Sequence, residues 1–228
     1  MNLVAGMLVK NESDRYLAQV IDNICLFADE LVVVDDRSND DTVLLIQTRS
    51  TIPTFVYPNY LYDFSNEVEL RKMLYEKIME RKPDWYTVVD ADELFHKASR
   101  QVFEELMNQN TVDFWGFRLF DMWDENHYRS DHFWKAHDYY TNLLARNVPG
   151  FSPVWNEIPQ HCGRFPMNLA NLRLQGTEVM KIKHYGWARP DDRWQKYKRN
   201  KLYDQRPQYD ELFESILDPH PSLLPWID

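Results

Sequence analysis

Cysteine is scarce in this chain, since only Cys25 and Cys162 occur among 228 residues. Two thiols are too few for a disulfide framework or a multi-cysteine zinc site, and such low usage is typical of reducing compartments. Long apolar runs are also missing, because none approaches the roughly 18 residues that a membrane-spanning helix needs. The first residues lack the basic segment of a secretory signal. Together these absences predict a soluble, cytoplasmic protein without a transmembrane segment.

An excess of positive charge is missing as well. The 26 Lys and Arg residues are outnumbered by 36 Asp and Glu residues, which gives a net charge of −10. A general nucleic-acid binder gains its affinity from basic patches that neutralise phosphates, so the composition argues against this class of protein. The charge is still compatible with a local basic pocket for one diphosphate.

Three common catalytic or nucleotide-binding signatures are absent too. No G-x-G-x-x-G follows the first predicted strand, and neither G-x-x-x-x-G-K-[ST] nor G-x-S-x-G occurs in the chain. Their absence argues against a dinucleotide-binding Rossmann domain, a P-loop NTPase and an α/β-hydrolase.

Strand-like and helix-like segments alternate over about the first 90 residues. Continuous apolar runs, as in strands buried on both faces, predict strands at 3–9, 31–34, 54–57 and 85–89. Apolar stripes predict helices between them, the first capped by Asn11 or Ser13 and the second by a box of Ser38 and Asp41. The alternation predicts an α/β fold with a Rossmann-like, mostly parallel sheet flanked by helices, in a single domain of residues 1–228.

The second half of the chain is less regular. Strands are predicted at 112–120, 143–146 and 179–184, and a basic helix opens at Pro190. A proline-rich tail from residue 204 is expected to wrap the domain or to contact a partner, such as a second copy in a homo-oligomer. Six aromatic residues could stack on sugar faces, although at least half of them are expected to pack in the core: Trp115, Trp123, Trp134, Tyr139, Tyr140 and Trp155.

Three acids lie within four residues directly after the strand at 85–89: Asp90, Asp92 and Glu93. Like charges repel in a partly desolvated site, and a divalent cation relieves that repulsion. Mg²⁺ or Mn²⁺ typically takes one or two carboxylates together with phosphate oxygens. The cluster therefore predicts a metal site, and the alternative is a solvated acidic turn that caps the next helix.

A second acidic pair, Asp35 and Asp36, ends the second predicted strand just before a helix. A carboxylate there can accept hydrogen bonds from a ribose or a base N–H, and the helix N-terminus favours an anionic ligand. The alternative is a role in helix capping. Because ligands bind beyond the carboxyl ends of parallel strands, we expect this pair to share one crevice with Asp90 and Asp92.

Further charged residues follow the same edge of the sheet. Lys10 and Glu12 close the first strand and are expected to line the crevice. Arg71 joins them if its helix, predicted at 66–81, starts at the crevice. Otherwise these three side chains simply face water.

His184 ends the strand predicted at 179–184, and a glycine and the basic helix follow it. Imidazole can join carboxylates around Mn²⁺, because nitrogen ligands suit transition ions. The basic helix could offset the charge of a diphosphate. The alternative for His184 is a purely structural histidine.

The motifs in this order and spacing resemble family 2 glycosyltransferases of the GT-A fold through about residue 95. The resemblance rests on Met7-Leu8-Val9-Lys10-Asn11-Glu12, on Val33-Val34-Asp35-Asp36-Arg37-Ser38-Asn39-Asp40-Asp41-Thr42, and on Val89-Asp90-Ala91-Asp92. His184 is similar to the metal-side histidine of some members. One departure is Arg37, which stands where many members have glycine.

The resemblance implies a role for each of these residues. Asp36 would bind the base or ribose of a nucleotide, usually uridine, beside Lys10 and Glu12, and Arg71 would contact the nucleotide or its diphosphate. Asp90 would lie near the ribose and sugar, while Asp92 would ligate the metal that bridges the phosphates. Residues 1–95 would form the nucleotide-sugar-binding half, 96–203 the acceptor and metal-completing half, and 204–228 the tail.

Members of this kind generally invert the anomeric centre, which requires a carboxylate base on the acceptor side. The second half offers Asp121, Asp124, Glu125 and Glu157. We favour Glu157, because it precedes His161 and Arg164 in a mixture of aromatic and polar residues, and the alternative is a surface acid.

Two other functions stay open: a nucleotidyltransferase acting on a sugar phosphate, and a non-catalytic carbohydrate-binding protein that kept the fold.

Overall fold

The computed structural model describes residues 1–61, 64–158, 161–203 and 209–227. Its strands are β1 (Leu3–Val9), β2 (Glu30–Asp35), β3 (Thr54–Pro58), β4 (Trp85–Val88), β5 (Glu93–His96), β6 (Phe114–Asp121), β7 (His127–Arg129), β8 (Tyr140–Arg146), β9 (Leu174–His184) and β10 (Leu223–Pro225). Its helices are α1 (Leu17–Cys25), α2 (Thr42–Arg49), α3 (Glu67–Glu80), α4 (Arg100–Met107), α5 (Pro190–Tyr203) and α6 (Asp210–Ser215).

Eight of these strands form one sheet in the order β3-β2-β1-β4-β8-β6-β9-β5. Strands β3, β2, β1 and β4 are parallel to one another, as are β6 and β9, whereas β8 and β5 run antiparallel to their neighbours. Every residue of β1 and β4 is buried, as expected for strands covered on both faces. The predicted α/β fold with a mostly parallel sheet is confirmed.

Helix α3 packs closely on β1 at Gly6. A Cβ added there would overlap the Cδ1 methyl of Ile78 and would contact Leu74. The side chains of α3 therefore approach the backbone of β1 directly, which fixes the start of α3, and Arg71 with it, near the carboxyl end of the sheet.

Both predicted helix caps are wrong. Helix α1 begins only at Leu17, and neither its N-cap nor that of α2 makes a side-chain capping bond. Instead, the Asn11 backbone N–H donates to Ser38 Oγ at 2.9 Å, and Ser13 Oγ donates to Asp40 Oδ2 at 2.7 Å. These polar side chains link the loops after β1 and β2 to each other, because the two strands are parallel neighbours whose ends meet.

The second half builds smaller aromatic clusters beside the main core. Trp115, Trp123, Trp134 and Trp155 are buried, while Tyr139 and Tyr140 are exposed, so the expectation that at least half of the six aromatic residues pack in the core is confirmed. Within the described residues, no helix combines the length and the apolar character that a membrane crossing requires.

The described part of the predicted tail folds back on the domain. Strand β10 pairs antiparallel with β7, and the Trp226 ring lies 5.2 Å from that of Phe120. Residues 204–208 and 228, which belong to the predicted tail, lie outside the described residues. The described part of the tail thus wraps the domain, while homo-oligomerisation through the tail stays a prediction.

Candidate functional site

A cavity of about 800 Å³ opens beyond the carboxyl ends of β1 and β4, the place where ligands bind in open parallel sheets. Six of the eight residues singled out from the sequence line it: Lys10, Glu12, Arg71, Asp90, Asp92 and His184. Asp36 lies beneath its wall, and Glu157 lies apart from it. The volume is within the usual range for small-molecule sites.

The carboxylate of Asp36 is only 1% exposed and is held by protein donors on both oxygens. Lys10 Nζ donates to it at 2.8 Å, Asn59 Nδ2 at 3.0 Å and the Phe64 backbone N–H at 3.3 Å, and Arg37 adds an ion pair at 3.1 Å. These contacts connect the loop after β2 to the loop after β3 and to Lys10 at the end of β1. Asp36 therefore organises this side of the cavity and orients the Lys10 ammonium.

Asp90 lies between two guanidinium groups. Arg71 reaches Oδ1 at 3.3 Å and Arg164 reaches Oδ2 at 3.0 Å, while Arg164 also forms a bidentate pair with buried Glu93. Burial alone would raise the pKa of the Asp90 carboxyl, but the charges of Arg164 and Arg71 hold that pKa below its usual range. Asp90 is thus an ionised carboxylate in a fixed orientation.

Asp92 and His184 face each other across the cavity floor. The distance from Asp92 Oδ1 to His184 Nε2 is 3.6 Å, and His184 Nδ1 donates to Asp121 Oδ1 at 2.7 Å. Burial opposes the charged imidazole, but the Asp92 charge and the bond to Asp121 raise the pKa of His184 to about 10. Burial likewise opposes the charged form of Asp92, whose pKa is held well below its usual range by His184 and by Lys196.

The ligand atoms of Asp92 and His184 fit a divalent cation once the imidazole has released its Nε2 proton, because only the neutral ring can ligate a metal through that nitrogen. Two ligand atoms that each lie about 2.1 Å from one ion are about 3.0 to 3.5 Å apart, close to the observed separation. The Nδ1 bond to Asp121 is the second-sphere contact typical of metal-bound histidines, because it directs Nε2 to the ion. Among the described residues no group of three or more His, Cys, Asp or Glu side chains is placed to hold a metal ion. An ion at this pair would therefore need further ligands, such as the phosphate oxygens that Mg²⁺ commonly takes.

The cavity is cationic although the chain is acidic. Its lining contains six Lys or Arg residues and three acids, Glu12, Asp90 and Asp92, against a net charge of −10 for the whole chain. The six cationic residues are Lys10, Arg15, Arg37, Arg71, Lys196 and Arg199. A cleft lined by one sign of charge concentrates ligands of the opposite sign, so the arrangement favours an anionic ligand such as a diphosphate.

Glu157, the predicted base, does not line the cavity. Its side chain is 64% exposed, and Oε2 accepts a bond from Lys72 Nζ at 2.8 Å. Pro159, next in the segment that suggested it, lies outside the described residues. The role of Glu157 therefore stays a prediction.

Several residues of the site were not singled out individually from the sequence. The sequence marks Arg164 only as a neighbour of Glu157, Asp121 only as one of four candidate bases, and Lys196 only as part of the basic helix. Their places depend on partners 63 to 104 positions away in the chain. One signal in the sequence could have identified Asp121. Asp121 and His184 lie at the ends of two predicted strands, and parallel pairing of those strands brings the two residues side by side.

The chain belongs to glycosyl transferase family 2, whose family model matches residues 5–159. The uncharacterized protein Rv3786c of Mycobacterium tuberculosis is 31% identical over 96 residues, which cover 39% of this chain and 23% of that protein. The matched segment thus spans about a quarter of this curated relative.

Solved glycosyltransferases share the fold. TarS 1-349 of S. aureus in complex with UDP is similar with a TM-score of 0.60 at 14% identity, over 95% of this chain and 70% of that one. Glucosyl-3-phosphoglycerate synthase of Mycobacterium tuberculosis, in complex with phosphoglyceric acid, gives a TM-score of 0.52 at 12% identity, over 85% and 74% of the two chains. These similarities show the GT-A fold that the resemblance implied.

Proposed function

We propose that this protein is a metal-assisted glycosyltransferase that moves a sugar from a nucleotide-sugar donor, in the first instance a UDP-sugar, to a carbohydrate or glycoconjugate acceptor. The observation that carries the proposal is the cationic cavity at the sheet edge, with Asp92 and His184 paired at its floor and Asp36 organising its side. Membership of glycosyl transferase family 2 supports it. The cytoplasmic location stays a prediction from composition.

Different residues of the cavity would bind different parts of the nucleotide-sugar donor. Lys10 and Glu12, with Asp36 behind them, form the wall for the nucleoside, and Arg71 carries a guanidinium to the cavity beside Asp90. A divalent cation held by Asp92 and His184 would supply Lewis-acid stabilisation of the departing diphosphate. The ionised, arginine-held Asp90 is placed to accept hydrogen bonds from ribose or sugar hydroxyls.

The first test is a thermal-shift measurement with UDP, with and without Mn²⁺, followed by a panel of nucleotide sugars and donor-hydrolysis assays. A ligand at 100 times its dissociation constant adds about 2.7 kcal/mol, which raises the melting temperature of a chain of this size by about 5 to 10 °C. Asp92→Ala should remove the Mn²⁺-dependent part, whereas Asp138→Ala, outside the cavity lining, should keep it. No shift by UDP under either condition would contradict the proposal.

For the acceptor step we propose an inverting displacement with Glu157 as the base. Glu157→Gln should abolish transfer while UDP binding is retained, because the change removes a proton acceptor without touching the donor cavity. Glu69→Gln is the matched control, since Glu69 also accepts a bond from Lys72 at 2.8 Å. Unchanged turnover in Glu157→Gln would exclude this role.

A further inference from the structure

Three polar groups converge above Gly186, which follows the strand end at His184. A Cβ added to Gly186 would lie 2.5 Å from His184 Nε2 and 2.6 Å from Asp92 Oδ2, and it would overlap Lys196 Nζ. Among the described glycines, positive φ values occur at Gly150 and Gly163 and not at Gly186. A glycine at this position is therefore not required by the backbone conformation. It is required because a Cβ would occupy the space that these three polar groups surround.

Lys196 enters this space from α5 and is held there. Its side chain is 18% exposed, and its ammonium lies over the ring of Trp187 at 4.4 Å from the centroid. Trp187 is in turn packed edge-on against Trp134. Lys198 on the same helix shows the contrast, because it lies over the half-exposed ring of Trp194 and is itself exposed.

The ammonium of Lys196 has N–H groups that are available as hydrogen-bond donors. Its nearest carboxylate oxygen is Asp92 Oδ2 at 3.7 Å, which is too long for a hydrogen bond. A lysine carries three N–H donors, and those of Lys196 form no hydrogen bond with any residue in the described ranges. A mostly buried cation with unused donors, beside the candidate metal ligands, is arranged to receive an anionic oxygen.

We propose that Lys196 binds the nucleotide sugar: its ammonium contacts the oxygens of the diphosphate and holds a positive charge beside them, next to Asp92 and His184. Arg199, one turn further along α5, lines the same wall and adds a second cation. The inference rests on the proposed function, because it takes a nucleoside diphosphate as the ligand. Its consequence is that diphosphate binding depends on α5 as well as on a divalent cation.

The experiment is calorimetric titration of UDP and of uridine into the wild type, Lys196→Met and the matched control Lys198→Met, each in EDTA and in Mn²⁺. The wild type should bind UDP measurably in EDTA. Lys196→Met should weaken UDP binding about 10- to 100-fold, as expected for the loss of charge-assisted hydrogen bonds. Uridine, which has no phosphate, should bind equally to all three proteins, and Lys198→Met should match the wild type with both ligands.

Failure of the inference and failure of the proposed function give different results. If the wild type binds UDP neither in EDTA nor in Mn²⁺, the proposed function fails. If the wild type binds UDP only in Mn²⁺, or if Lys196→Met binds UDP as tightly as the wild type, the assignment of Lys196 is overturned. Lys196→Arg, which keeps the charge on a different donor geometry, should give intermediate UDP affinity and covers the case in which the methionine variant does not fold. If Lys196→Arg weakened the binding of UDP and of uridine to the same extent, the effect would not depend on the diphosphate, and the assignment would also be overturned.

Discussion

Glu12 is the residue of the cavity wall whose charge changes near neutral pH. Its side chain is 19% exposed, and burial raises the pKa of its carboxyl from 4.5 to about 7 despite the opposing charge of Arg15. Between these two pH values the folded protein holds a proton that the unfolded chain has lost. The free energy of unfolding therefore falls as the pH rises from 4.5 through 7.

Glu12→Gln should remove this pH dependence, since glutamine stays neutral. Each pH unit by which a pKa moves is worth about 1.4 kcal/mol. The stability of Glu12→Gln relative to wild type should therefore grow by about 2 to 3 kcal/mol between pH 5 and pH 8, as measured by urea unfolding without ligand. Glu76→Gln, an exposed change on α3, is the control and should show no such trend. A constant difference between wild type and Glu12→Gln across this range would contradict the prediction.

At the scale of single residues, the sequence predicted the site best where a side chain directly follows a buried strand. Lys10, Asp36 and Asp90 could be placed in this way, because an apolar run fixes where the strand ends and parallel strands share an edge. Arg164 could not be placed, since it lies in a loop without apolar periodicity. Its position depends on Glu93, 71 residues away, and no local pattern in the chain encodes that pairing.

At the scale of elements, the pairing of β6 with β9 assembles the metal-side part of the site. The parallel register sets Asp121 beside His184, while β5 on the other side sets Glu93 beside the same histidine. The strand register thereby brings the Asp121 carboxylate within hydrogen-bond distance of His184 Nδ1. Asp121 is a positioning residue, because it acts through the imidazole.

Asp121→Ala should lower the affinity for Mn²⁺ about 10- to 100-fold, the usual effect of removing a second-sphere partner of a metal ligand. Asp121→Asn keeps an acceptor oxygen at the same place and should recover part of that affinity. The measurement is Mn²⁺ binding followed by electron paramagnetic resonance in the presence of UDP. Asp124→Ala, which breaks the carboxylate–histidine pair with His127 outside the cavity lining, is the control. Wild-type Mn²⁺ affinity in Asp121→Ala would contradict the role.

The elements themselves were predicted unequally. The buried strands β1, β2 and β4 and the helix α3 were found within a few residues of their bounds, because continuous apolar runs and a stop at Pro83 mark them. Only the end of β9 was predicted, at 179–184, although the strand begins at Leu174. Its first residues are mostly exposed and polar, so their strand conformation follows from pairing with β6 rather than from local propensity.

At the scale of the whole molecule, the charge of the chain and the charge of the cavity have opposite signs. A distant anion meets a net charge of −10, whereas an anion at the cavity mouth meets six cations and three acids. Salt screens exposed charges strongly over about 10 Å at 0.1 M, and buried pairs much less. The near cations should dominate the binding free energy, because the remaining acids are spread over a surface that salt screens first.

We therefore expect the dissociation constant of UDP to rise about 3- to 10-fold between 20 and 300 mM NaCl, as exposed cations such as Arg37 and Arg199 are screened. The measurement is titration of UDP at constant pH, with uridine as the uncharged comparison, whose affinity should stay constant. If the dissociation constant of UDP instead fell with added salt, the repulsion by the acidic surface would outweigh the cavity cations. The site would then owe its affinity to short-range contacts rather than to the charge of its wall.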